Sequence, residues 1–221
     1  SGPVEDRAAA EDLLSRLPGT DVTEELAQAA MIAGADAPET RAFLLRALAA
    51  RNAAGHISLF WGAAADPVLA VRLAALEGLG LLAESGEAKA LARRLAQVTD
   101  ESERAAAAKA LGQVAERERD PEKRAAPVLE ILPGTQGVLK IELITLLGKL
   151  GGGDALKEVR RAVSSPDEAL QEAGLRAHGP VPRCDARCHL SCTMEVSTLI
   201  EHPGLALGEI AGFLGRRYGG D

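Results

Sequence analysis

The sequence predicts an all-α protein made of five to six repeated helix pairs. Three observations carry this. Apolar residues make up 47% of the 221 residues, yet aromatics make up only 2%. Ala and Leu together supply about a third of the chain, and β-branched residues are scarce. Pleated surfaces need Val, Ile, Thr and aromatics, so a β-rich design is disfavoured, while small side chains favour closely packed helices. The third observation is an internal repeat, whose period sets the size of the unit.

The clearest copy runs from Asp66-Pro67 to Leu82. Asp-Pro is a helix-start signal. Val71-Arg72 follow, then Ala75, Gly78, Leu79, Gly80 and Leu82. Aligned on Arg72, Arg41 precedes Leu44, Ala47, Leu48 and Ala49, and Arg104 precedes Ala107, Ala110, Leu111 and Gly112. Lys140 precedes Leu143, Leu146, Leu147 and Gly148; Gln171 precedes Gly174, Ala177, His178 and Gly179. The aligned positions 41, 72, 104, 140 and 171 are spaced by 31, 32, 36 and 31. A weaker copy starts near Arg7, with Ala10, Leu13 and Leu14. Offsets of three, six and seven place small or apolar residues on one helical face. A period of about thirty residues holds two helices and two short turns.

Second helices are expected at Val22 to Ala33, Ala54 to Ala64, Gly86 to Val98, Glu122 to Leu132 and Gly153 to Val163. Pro127 should kink the fourth of these or mark its true start. Arg93-Arg94 and Arg160-Arg161 recur on second helices 67 residues apart, a distance of two repeats.

The recurring Asp-Pro, Val-Arg, Ala and Leu-Gly pattern resembles HEAT repeats, including those of phycobilin-lyase-like proteins, over residues 3–179. The resemblance implies a HEAT-like α-α superhelix, or solenoid, whose second helices line a concave face. The run from Glu101 to Gly179 is similar to HEAT modules of large bacterial extracytoplasmic proteins, in which sugar-processing or haem chemistry sits in other domains. It therefore implies a noncatalytic scaffold that binds a protein or positions fused domains, with an extracytoplasmic site slightly favoured over a cytoplasmic one.

Charge agrees with a protein partner. The chain has 25 basic and 32 acidic side chains, a net charge of −7, whereas a nucleic-acid binder leans basic. No stretch reaches the ~20 apolar residues of a membrane span. Arg93, Arg94, Arg160 and Arg161 are the candidate contacts for an acidic segment of a partner. A solvated helix face, with Glu87 and Glu158 pairing to these arginines, is the competing reading. The row Arg41, Arg72, Arg104 and Lys140 reads as a ladder in which each cation reaches a carboxylate or carbonyl of the neighbouring repeat. An anion-binding stripe is its alternative.

Glycine motifs offer little chemistry. Gly78-x-Gly80-x-x-Ala83 lies late in a helix, where a dinucleotide fingerprint would need a preceding strand. Gly148-Lys149 and Gly151 to Asp154 lack the order of a phosphate loop and read as a helix end and turn. Phe60-Trp61 reads as core, with a local hot spot as the alternative. The chain lacks the paired His-Glu dipeptides of HEAT-type hydroxylases and the basic aromatic groove of HEAT-like glycosylases. No cofactor is expected.

The pattern changes after Gly179. Residues 180–202 read as an irregular segment and 203–221 as a C-terminal helix capping the solenoid. Cys184, Cys188, His189 and Cys192 form the alternative site, for a metal-binding protein or an enzyme, since thiolates and imidazole suit zinc or iron–sulfur. Their spacing is Cys-x3-Cys-x3-Cys rather than the usual paired Cys-x2-Cys. Free thiols, an adventitious disulfide, or a segment read from a shifted frame are the other readings.

Overall fold

A computed structural model describes residues 13–14, 16–33 and 36–178. By its internal contacts the chain divides into Ser1–Gly179 and Pro180–Asp221, and everything described below lies in the first unit. The described residues form ten α-helices joined by turns and short 3-10 segments, with no strand among them. The fold class is all-α.

The helices are α1 (Thr20–Ala33), α2 (Pro38–Ala50), α3 (Ile57–Ala63), α4 (Leu69–Leu82) and α5 (Ala88–Gln97). They continue as α6 (Glu101–Ala115), α7 (Pro121–Ile131), α8 (Gly137–Leu150), α9 (Gly153–Val163) and α10 (Glu168–His178). Arg41, Arg72, Arg104, Lys140 and Gln171 are each the fourth residue of an even-numbered helix. The alignment of the sequence on itself is thus an alignment of helices.

Local signals account for the boundaries. The Asp100 carboxylate accepts the Glu103 N–H at 2.9 Å and caps α6, and the Asp120 carboxylate accepts the Glu122 N–H at 3.0 Å and caps α7. Both satisfy amides that a helix start leaves unpaired. α8 ends at Gly151 and Gly152, whose φ values of +75° and +100° suit only a residue without Cβ. α7 starts at Pro121, and Pro127 lies inside it; the expectation that Pro127 marks the start is corrected. A cap at Asp120 followed by a proline at the first position fixes the start further upstream. The third helix is shorter than expected, because Ala54–His56 form a 3-10 turn before it.

Packing follows the repeat. Every substantial helix contact among the described residues joins helices one or two apart in chain order: α2 with α4, α4 with α6, α6 with α8, α8 with α10, and α5 with α7 with α9. At offset seven, Leu48, Leu79, Leu111 and Leu147 are completely buried. At offset three, Ala75, Ala107 and Leu143 are too. Full burial of each leucine contributes about 1.5–3 kcal/mol.

The glycines mark close approaches. A Cβ on Gly78 would fall 2.1 Å from the Phe60 ring, and Phe60 is fully buried. A Cβ on Gly80 would fall 3.1 Å from Ala110 Cα, and one on Gly148 2.5–2.8 Å from the Ala177 backbone and Cβ. These glycines serve helix packing.

Candidate functional site

The even-numbered helices carry a ladder of arginines. Arg41 on α2 pairs with Asp66, in the turn before α4. Arg72 on α4 donates from Nε to Glu103 on α6 at 2.7 Å and from its Nη1 to the Asp66 and Pro67 carbonyls, each at 3.0 Å. Arg104 on α6 reaches Glu142 on α8, with Nε 3.2 and 3.3 Å from the two carboxylate oxygens. Three rungs therefore join successive repeats through guanidinium and carboxylate. Asp66 and Glu103 are buried, and a buried carboxylate needs this kind of pairing.

Two further arginines bind backbone carbonyls of a preceding segment. Arg51, after α2, donates to the Leu14, Leu17 and Gly19 carbonyls and to the Thr23 hydroxyl. Arg117, after α6, donates to the Gly80, Leu81 and Ala83 carbonyls at the end of α4. The carbonyls at the end of α4 lack helical partners and carry the negative end of the helix dipole. Arg51 stands ten residues after Arg41 and Arg117 thirteen after Arg104, so the two do not share a repeat position. The sequence reading missed these contacts, because the two arginines follow no shared offset.

The candidate partner-binding residues are not equivalent. Arg94 turns inward, and its Nη2 lies 2.5 Å from the second oxygen of Glu103. Glu103 is thereby held between Arg72 and Arg94. Arg93 is exposed, 3.6 Å from Glu130, and Lys89 approaches the same carboxylate at 2.8 Å. The Lys89 ammonium beside it holds the Glu130 carboxyl below its ordinary range, with Arg93 adding to the effect. Arg160 is exposed on α9. Arg161 is exposed and pairs with Glu158 one turn earlier on its own helix. Glu158 plays the part expected of it; at the other pair Glu130 and Glu103 take the part expected of Glu87.

The Arg94 and Arg161 difference has a simple cause. Aligned on Arg104 and Gln171, Glu103 corresponds to Leu170. Arg94 pairs with a carboxylate on the following helix, whereas the aligned place on α10 holds a leucine and Arg161 pairs with Glu158 on its own helix.

Open clefts flank α8. One of about 600 Å³ lies between α7, α8 and α9, over Leu129, Leu132 and Pro133, with Lys140, Lys157 and Arg161 among its walls. Another, of about 460 Å³, lies between α6 and α8 beside Gly112, Ile141 and Leu146. The start of α9, at the glycine-rich run Gly151 to Asp154, is filled from within. The Glu122 carboxylate accepts the Gly153 N–H there and lies 3.5 Å from the Asp154 N–H.

Cys184, Cys188, His189 and Cys192 lie outside the described residues, as do the segments 180–202 and 203–221. Among the described residues no three His, Cys, Asp or Glu side chains gather in a way that could hold a metal ion. No described helix is long and apolar enough to cross a membrane. Phe60 is core, and Trp61 is partly buried against it. No protein-family model matches the chain, and no curated protein sequence matches it.

Proposed function

We propose that the chain is a noncatalytic HEAT-like α-solenoid that binds a protein partner or positions fused domains. The observation that carries this reading is the neighbour-only packing of helices in register, tied by the Arg41, Arg72 and Arg104 rungs. Stacks held by nearest-neighbour interfaces present a long face whose side chains are free to vary without disturbing the core. In a HEAT-like stack that face belongs to the second helices, here α5, α7 and α9. They display Lys89, Arg93, Glu130, Lys157 and Arg161 at the surface. Arg94 supports this face from within through Glu103, and the outward candidates are Arg93, Arg160 and Arg161.

Two measurements test the reading. Small-angle scattering should give a radius of gyration well above the about 17 Å of a compact chain of 221 residues. A photo-crosslinking residue placed at Ala90, Ala126 or Lys157, on α5, α7 and α9, should give protein adducts in the native host. The same residue at Ala105 or Lys109, on α6, should give far fewer. A compact radius would defeat the solenoid; equal labelling of both faces would defeat the binding face.

A further inference from the structure

The ladder has one rung missing. Arg41, Arg72 and Arg104 each reach a carboxylate on or just before the next even-numbered helix. Lys140 holds the same place on α8, yet it makes no ion pair among the described residues. The aligned residue on α10 is Gln171, and the residue before it is Leu170 where α6 has Glu103. The carboxylates on or just before α10 are Asp167, Glu168 and Glu172, and none of them pairs with Lys140, whose side chain instead lines the 600 Å³ cleft between α7, α8 and α9.

The other charges of that cleft are already matched. Lys157 lies 2.7 Å from Asp154, and Arg161 is paired with Glu158. Lys157 and Asp154 each favour the charged state of the other, the ammonium raised and the carboxyl lowered from their ordinary ranges. The net charge of the lining is thus that of Lys140, a single cation beside an apolar floor of Leu129, Leu132 and Pro133. A half-buried ammonium without a counter-ion favours an incoming anion, and the floor favours an apolar side chain next to it.

We propose that this cleft receives an acidic, apolar peptide segment of a partner protein, with one carboxylate on Lys140 and a neighbouring aliphatic side chain on Leu129 and Pro133. The proposal rests on the interaction-module reading and moves its centre from the Arg-Arg pairs to the α7–α9 cleft. A carboxylate supplied from outside would complete the rung that the chain itself omits.

The test uses the full chain and a fluorescein-labelled ten-residue peptide of alternating Glu and Leu. Fluorescence anisotropy should show saturable binding that weakens with added salt. Lys140→Ala should weaken it about fivefold or more, and Lys140→Arg should restore it. Lys109→Ala, on α6 and outside this cleft, should leave it unchanged, and thermal unfolding should show that all three variants are folded. Absence of binding overturns the proposal. So does equal binding of the Gln-for-Glu peptide, or equal competition by inorganic phosphate, which would make the site a simple anion site. Binding that survives Lys140→Ala overturns the cleft and leaves the interaction module standing. Failure of the module itself would show separately, as equal crosslinking of both faces.

Discussion

At the α4–α6 interface Gly80 faces Ala110; at the α6–α8 interface Gly112 faces Leu146. The two contacts use the same repeat positions, offset eight against offset six. In the first, the missing Cβ admits the backbone of the next helix. In the second, the space beside the glycine is taken by a leucine δ-methyl at 3.1 Å. α6 and α8 approach each other less closely than α4 and α6 do, and a cleft of about 460 Å³ opens beside them. The α8–α10 contact returns to the first kind, with Gly148 against Ala177. The groove between α4 and α6 beside Ala110 is smaller, about 260 Å³, so the alanine-to-leucine change goes with the wider opening. A glycine makes a close contact only when its partner is small as well.

The ion pairs follow the same division. Glu103, buried between α4 and α6, is gripped by Arg72 and Arg94. Glu142, between α6 and α8, is partly exposed and meets one guanidinium at a longer distance. The largest expected difference lies here. Glu103→Gln should cost about 3 kcal/mol, because it leaves two inward-facing guanidinium groups without a counter-charge. Glu142→Gln should cost less than about 1 kcal/mol. Equal costs in urea unfolding would show that burial at the two interfaces does not differ in the way described.

The glycines sharpen the comparison. Gly148→Ala should destabilise by about 1–3 kcal/mol, since the new Cβ meets backbone that cannot turn aside. Gly112→Ala should be near neutral, or stabilising by up to about 1 kcal/mol, because the leucine tip can shift and alanine is the better helix former. A large loss at Gly112 would mean that α6 and α8 are as tightly set as their neighbours.

Ala107→Leu and Ala75→Leu enlarge fully buried positions on α6 and α4 and should each cost about 1–3 kcal/mol by overpacking. Leu146→Ala works in the opposite sense at the open interface. It should cost about 2 kcal/mol, at the low end for a buried leucine, because the helices can close over the gap. A crystal structure of that variant with the 460 Å³ cleft unchanged would contradict the propping role of Leu146.

The smallest effect concerns the surface pair Lys89–Glu130. The Glu130 carboxyl lies below its ordinary value of 4.5 in the folded protein. Its contribution to stability is therefore present above that value and lost as pH falls through the lower, folded one. Wild type and Lys89→Ala should differ slightly at neutral pH and converge in acid. A gap that widens in acid would reverse the sign.

The sequence by itself determined the helical register. Small and leucine residues at offsets three, six and seven can share a buried face only on a helix of 3.6 residues per turn. That is why each aligned residue is the fourth of its helix. It also determined where helices could approach, through the glycines at offset eight. It did not determine what the cations would meet. Asp66 lies six residues before Arg72, Glu103 one before Arg104, and Glu142 two after Lys140, so the carboxylates follow no shared offset. A flexible arginine reaches whichever carboxylate the next helix brings near, and a repeat unit read alone does not contain that helix. Arg93-Arg94 and Arg160-Arg161 are the same dipeptide at matching places, with Leu91 three residues before Arg94 and Glu158 three before Arg161. Glu158 could be read from the chain as a neighbour of Arg161, but only the tertiary structure brought Glu103 of the following helix to Arg94, because that contact depends on how α5 packs on α6.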